Sequence, residues 1–331
     1  MNYSVFVGID VSKLKLDIAL KDASGQLISN HIIENSYSAL DQFLEEIREK
    51  ISLNEMLFCL EPTGHYSNTT VSVLVGRECA TWLAMPVDIQ RSIGLTRGKN
   101  DRVDAVRIAE YAYRYSDKAR LVSLQNIEMF QIRELLAQRE TFVTDKAKYL
   151  TQIKDFKGRV SESAFESIEQ ANRMIVESLV DAIAMVEKQL QQLISSSKQL
   201  QNQYDLLTTI PGVGKVLAQT LIAATSGFER FNNPRSFACH AGIAPFQYTS
   251  GTSIRGRNRV SHRANKRLKS LLHMAALCCI RIKGPLREYY LRKVAEGKSK
   301  MAVLNAIRNK IVHCIFAIIN RKTPYQNLEV S

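Results

Sequence analysis

Proline and glycine are scarce in this chain, 7 and 15 among 331 residues. With 45% of residues apolar, that scarcity excludes a disordered polypeptide and leaves material for one sizeable core or, more readily, two. Cysteine is sparse as well: Cys59, Cys79, Cys239, Cys278, Cys279 and Cys314 lie mostly in apolar runs, without a C-x-x-C. No histidine stands at metal-ligand spacing from them, so they read as reduced core residues of a cytoplasmic protein. No uncharged apolar run reaches the roughly 18 residues of a membrane span. The N-terminus, MNYSVFVGID, lacks a cationic region ahead of an apolar stretch, so neither export nor membrane insertion is expected. G-x-x-x-x-G-K-[ST] is absent too, which excludes a P-loop.

Charge of one sign is in excess. The chain has 45 Lys+Arg against 32 Asp+Glu, a formal +13, and a field of this kind draws polyanions, nucleic acid first. Between Ser250 and Lys310 there are 16 Lys+Arg, and the acids there are Glu288 and Glu296. That excess of 14 exceeds the whole-chain value, so the remainder is close to neutral and the basic field belongs to one region. A plain solvated basic surface is the alternative.

Residues 4 to 61 read as strands separated by turns: VFVGID, LKLDIALKD, a turn at Ser24-Gly25, QLISNHII and MLFCLEP, with a helix near Ala39 to Lys50. Helical periodicity follows between Glu61 and Thr81, and ATWLAMP is a fifth short strand. The alternation predicts an α/β sheet. Neither Gly nor Pro occurs from Lys99 to Lys157, nor from Arg159 to Ile210, which predicts two long helices with a break around Gly158. Leu179, Ile183, Val186, Leu190, Leu193 and Leu200 follow a 4-3-4-3 rhythm with one slot taken by Ser197. Such a seam suits a coiled coil between chains or an intramolecular antiparallel pair. The expected parts are 1–120, a metal-binding α/β domain; 121–204, a helical coiled-coil segment; and 205–331, a basic, mainly α-helical domain.

Four acids stand out. Asp10 ends the apolar VFVGID and Glu61 follows the apolar MLFCL, and ligands gather at strand ends in α/β sheets. Asp101 and Asp104, in KNDRVDAVRIAEY, lie one turn apart at a helix start, where Asn100 is a good N-cap. Converging carboxylates would hold paired divalent ions roughly 4 Å apart, which stabilise the charge of a phosphodiester undergoing attack. Hard oxygen donors suit Mg²⁺ or Mn²⁺. Taken singly, Asp10 reads more readily as a turn residue, Glu61 as a strand terminator and Asp101 as a carboxylate favoured by the helix dipole; it is their combination that points to a metal.

In the basic region, Ser250-Gly251-Thr252-Ser253 precedes Arg255, Arg257 and Arg259. A hydroxyl among guanidinium groups is placed to attack a phosphate that the arginines clamp. A Gly/Ser turn in a nucleic-acid-binding loop fits the same residues. Ahead of it, Ile210-Pro211-Gly212-Val213-Gly214-Lys215 joins two helical stretches and resembles a helix-hairpin-helix element, whose backbone N–H groups can hold a phosphate; a tight interhelix turn is the alternative. The expected nucleic-acid contacts are Gly212, Gly214, Lys215, Arg255, Arg257, Arg259, Arg263, Lys266 and Arg267. Phe246, Tyr248, Tyr289 and Tyr290 can stack on bases or pack in the core. His240, His262 and His273 receive no chemical role.

GIDVSK, CLEPTGHY, KNDRVDAVRIAEY, the IPGVG hairpin and AGIAPFQYTSGTSIRGRNRVS together resemble the DEDD insertion-sequence transposases, over nearly the whole chain. The resemblance implies a RuvC/RNase H-like N-terminal domain whose tetrad is Asp10, Glu61, Asp101 and Asp104, and a transposase domain whose nucleophile is Ser250. It further implies a covalent phosphoserine link to DNA assisted by Mg²⁺, donor and target duplexes as partners, a structured bridge RNA as guide, and a homo-oligomer, dimer to tetramer. At His262 relatives commonly carry lysine. Two rival readings remain open on the residues: a RuvC-like structure-specific endonuclease using metal-activated water, and a non-catalytic nucleic-acid-binding architectural protein.

Overall fold

A computed structural model describes residues 3–93, 101–122, 124–231, 233–244, 249–250, 254–255 and 264–326. Two compact units emerge, 1–130 and 131–331.

The first unit is built on a five-stranded sheet in the order β3-β2-β1-β4-β5. Strands β1 (Val5–Val11), β2 (Lys15–Asp22) and β3 (Leu27–Glu34) form an antiparallel meander, and β1, β4 (Met56–Leu60) and β5 (Ala80–Leu83) run parallel. The turn expected at Ser24-Gly25 links β2 to β3, with Gly25 at φ +82° in the left-handed region that glycine enters without a Cβ penalty. Parallel pairing requires crossovers, and α1 (Tyr37–Arg48) and α2 (Tyr66–Gly76) supply them. Alternation sorts the strand residues between two faces. Val5, Val7, Ile9 and Val11 with Met56, Phe58 and Leu60 pack in one cluster with residues of α1 and α2. Phe6, Leu57 and Cys59 pack on the opposite face with α3 (Pro86–Ile93) and α4 (Asp101–Arg114). Beyond α4 the chain returns to the edge of β5, where Leu121 bridges to Trp82 and Val122 N–H donates to Thr81 O at 2.7 Å.

The predicted helix across 99–157 is in fact two. Helix α4 ends at Arg114, a 3₁₀ turn at Ser116–Lys118 follows, and α5 (Leu124–Phe156) begins only after Leu121 and Val122 have reached the sheet edge. The break comes from a tertiary contact, which a lack of Gly and Pro does not reveal. The second run, predicted as one helix over 159–210, also divides. Helix α6 (Glu162–Ser196) stops at Ser197, whose hydroxyl accepts from Leu200 N–H and so caps α7 (Lys198–Thr208). The serine that fills a slot in the apolar rhythm is the cap of a new helix, because its oxygen serves an N–H that no carbonyl reaches. Ile183, Leu190, Ile194 and Leu200 are buried along this stretch, and Arg139 of α5 pairs with Glu187 of α6 at 2.6 Å.

The rest of the second unit is helical around α12 (Lys300–Arg321), apolar and long enough to cross a membrane by length and composition. It packs against α7, α9 (Pro234–His240), α10 (Lys266–Cys279) and α11 (Pro285–Ala295). Ile307, Ile311, Val312 and Ile315 are at most 1% exposed, so it serves as the core helix of this unit. Two short strands, β6 (Thr249–Ser250) and β7 (Ile254–Arg255), pair antiparallel. Helix α8 (Lys215–Thr225) follows the hairpin after α7.

Candidate active site

Asp10 and Glu61 arrive side by side. Strands β1 and β4 are in parallel register from Val5↔Met56 to Ile9↔Leu60, and the two acids are the next residue on each strand. Both belong to the α4 side of the sheet. Asp10 shares the face of Phe6 and Gly8 by alternation, and the carboxylate of Glu61 is near enough to Cys59 to add to the upward push that burial gives its thiol.

Helix α4 brings the other two acids to the same end. A Cβ on Gly8 would run into Ala105 O and Ala109 N, so the helix lies directly on the strand where glycine leaves room. Phe6, two residues earlier in β1, meets Tyr113, later in α4, with ring centroids 5.4 Å apart. Strand and helix therefore run in opposite directions, and continuing from Gly8 to Asp10 moves along α4 from Ala109 and Ala105 towards its first turn, which starts at Asp101. The buried stripe Ala105, Ile108, Ala109 and Ala112 has the i, i+3, i+4, i+7 spacing of an amphipathic helix, and its small residues permit the close approach.

Within that arrangement Asp104 is engaged by Arg107 at 2.7 Å, and the side chain of Asp101 lies outside the described residues. Among the described residues no three His, Cys, Asp or Glu side chains stand close enough together to hold a metal ion. A further acid, which the pattern of acids at run ends does not mark, occupies the same face. Asp17 of β2 is paired directly opposite Asp10, is 2% exposed and meets Lys15 Nζ at 2.9 Å. Alternation in LKLDIALKD, where Leu16, Ile18 and Leu20 fill the other face, is the signal that could have found it.

In the second unit, Ser250 sits in the short hairpin, its backbone paired with Ile254. The side chains of Ser250 and Arg255, and all of Ser253, Arg257, Arg259, His262 and Arg263, lie outside the described residues, as do Phe246 and Tyr248. The IPGVG turn joins α7 and α8, and it is partly turned inward. Gly212, at φ +82°, packs where a Cβ would approach Ala275 O of α10 at 2.6 Å, and Cys279 Sγ–H donates to Pro211 O at 3.0 Å. Gly214 and Lys215 are exposed at the start of α8. Lys266 is exposed at the start of α10, and Arg267 donates to Glu140 at 2.6 Å. Tyr289 already has Lys310 Nζ 4.6 Å from its ring centroid.

Two family models match in sequence order. Residues 7–156 match the DEDD transposase model of the IS110 type, and residues 204–291 match the transposase IS116/IS110/IS902 family. The chain is 24% identical to the pilin gene-inverting protein of Moraxella bovis over 97% of each chain. It is 22% identical to the transposase for insertion sequence element IS1111A of Coxiella burnetii, over 97% of this chain and 91% of that one. The first match takes in all four acids and helix α4, the second takes in the serine hairpin, and the chain belongs to the IS110/IS116 family of transposases, enzymes that act on DNA.

Proposed function

We propose that the protein excises and inserts an insertion sequence by serine attack on DNA, assisted by a divalent metal and directed by a structured bridge RNA. The observation that carries this reading is the meeting of Asp10 and Glu61 at adjacent strand ends on the face where α4 begins with Asp101. A protein that only binds a polyanion gains nothing from gathering acids there. The sheet then acts as a RuvC/RNase H-like domain within 1–120. Residues 121–204 form a coiled-coil segment that can join subunits into a dimer or tetramer. Residues 205–331 form the serine-bearing domain with its helix-hairpin-helix-like element.

Asp10, Glu61, Asp101 and Asp104 would hold Mg²⁺ or Mn²⁺, since a set of carboxylates alone is the hard-donor chemistry these ions favour. The bound ion supplies neutralisation of the charge that builds on the phosphate oxygens during transfer. The chain's own step is at Ser250. Its oxygen bonds to phosphorus as one bridging P–O bond of the strand breaks, the serine proton leaves to a base, and the released strand oxygen takes up a proton. The phosphoserine ester conserves the diester for rejoining, in which the same exchange runs towards a new strand. Arg255, Arg257, Arg259, Arg263, Lys266 and Arg267, with the turn at Gly212, Gly214 and Lys215, would hold donor and target duplexes and guide RNA by their backbones.

Full-length likeness to a pilin gene-inverting protein favours a second outcome of the same strand exchange, inversion of a DNA segment. The test is covalent trapping. Wild type with DNA carrying the element's ends, bridge RNA and Mg²⁺ should give a denaturant-resistant protein–DNA adduct; Ser250→Ala should give none, and Asp10→Ala should bind DNA without exchanging strands. Undiminished cutting by Ser250→Ala points instead to an endonuclease using activated water.

A further inference from the structure

A cavity of about 800 Å³ opens in the second unit between α5, α8 and the start of α10. Arg133, Arg139, Arg230, Lys266 and Arg267 line it, and Glu140 is the one carboxylate among its described lining residues. Arg139 pairs with Glu187 and Arg267 with Glu140, yet the five cations still outnumber these two carboxylates around the shared space, a surplus suited to receiving an anion. Arg133 is the most telling of them. Its Nε donates to Ala223 O at 2.9 Å and a terminal nitrogen donates to Ser226 Oγ at 2.8 Å, so a part-buried guanidinium is fixed in place. A cation held in one geometry at the wall keeps the cavity in a shape that an anion can enter without rearrangement. The field also reaches His240, another lining residue, whose pKa is lowered by burial and then by Arg230 and Arg133.

The cavity is also where the serine-bearing segment leaves and re-enters the helical body. Asn265 N–H donates to His240 O at 2.9 Å, tying together the chain just before and just after that segment, and Asn265 Oδ1 accepts from Leu268 N–H to cap α10. Whatever occupies the cavity thus lies beside the two points, His240 and Asn265, between which the chain carrying Ser250 runs. The volume falls within the range of roughly 300–1,000 Å³ typical of ligand sites, larger than one phosphate group needs.

We propose that this cavity receives consecutive backbone phosphates of the DNA strand next to the bond that Ser250 attacks, an inference that rests on Ser250 being the nucleophile. Arg230 and Lys266 are exposed at its rim, so replacing both should leave the fold intact. The test is binding of the full-length protein to a labelled DNA duplex, and to an RNA duplex of the same sequence, across a salt series. Arg230→Ala with Lys266→Ala should weaken DNA binding on the order of tenfold and lower the slope of log affinity against log salt by about two, one for each phosphate that no longer meets a cation. Lys154→Ala with Lys157→Ala, an equal charge change at exposed positions of α5 and the turn after it, should leave the slope nearly unchanged. Equal losses in the two double variants would overturn the proposal by reducing the cavity to bulk charge. A loss for RNA with DNA binding intact would overturn it in favour of an RNA site. Ser250→Ala should bind DNA as wild type does; adduct formation by that variant would remove the serine chemistry while leaving the cavity measurement to be judged by itself.

Discussion

Asp10 stands directly across the β1–β2 pair from Asp17, so two carboxylates share one face at a position where Asp17 is almost fully buried. Like charges opposite each other on a sheet repel, and Lys15 at 2.9 Å from Asp17 offsets the repulsion. The arrangement sets an ion-paired carboxylate behind Asp10, where it can orient the neighbouring acid or raise the negative field that a divalent cation meets.

Replacing Asp17 by Asn keeps the shape and removes the charge. The expected result is a folded protein, destabilised by about 1–2 kcal/mol as Lys15 loses its buried partner, that needs a higher Mg²⁺ concentration for strand exchange. Thermal unfolding and a metal titration of recombination check it. An unchanged metal requirement would confine Asp17 to a structural role.

Gly8→Ala should be severe despite adding a single methyl group. The new Cβ has no space between β1 and the backbone of α4, and overpacking of this kind costs about 1–3 kcal/mol. Since relief must come by lifting α4, activity should fall further than stability, because Asp101 and Asp104 move with the helix. Comparison of unfolding midpoints with recombination rates tests this.

Stability should fall as pH drops below the ordinary histidine value of about 6.5. His240 has a folded-state pKa lowered by burial and by Arg230 and Arg133, so between its lowered and ordinary values the unfolded chain binds more protons than the folded one. Unfolding therefore becomes easier with acid across that window. His240→Gln should flatten the dependence, seen in melting temperatures measured from about pH 7.5 to about pH 5, a span that brackets the ordinary value.

Cys278 and Cys279 are neighbours with opposite fates. Cys278 is exposed, whereas Cys279 is buried, donates to Pro211 O and has its thiol pushed up to about 11, first by burial. Alkylation of native protein at about pH 8 should label Cys278 and spare Cys279, since the thiolate is the reactive form. Peptide mapping reads the outcome.

The strands were legible because local signals mark them: apolar runs, a Ser-Gly turn, acids at run ends. The helix ends were not. Loss of helix after Arg114 answers to the edge of β5, and the stop at Ser197 answers to the N–H of Leu200, neither of which a count of Gly and Pro detects. Asp10 and Glu61 could be picked out because each ends an apolar run. Asp17 stands mid-strand and not at the end of an apolar run, so the pattern that marks Asp10 and Glu61 passes over it, although the alternation of β2 assigns it to their face. Arg133 lay unnoticed in a helix rich in charge, since only packing against Ala223 and Ser226 sets it apart.

The return of the chain to β5 leaves the sheet asymmetric at its borders. Leu121 bridges to Trp82 and Val122 N–H donates to Thr81 O on the outer side of that strand, while on the opposite border β3 carries Leu27, Ile28 and Ile32 at 47%, 49% and 62% exposure. Among the described residues no strand pairs with the outer edge of β3, and an uncovered apolar border is a template for another strand. Any growth of this sheet by association, wanted or not, therefore starts at β3, on the border farthest from β5.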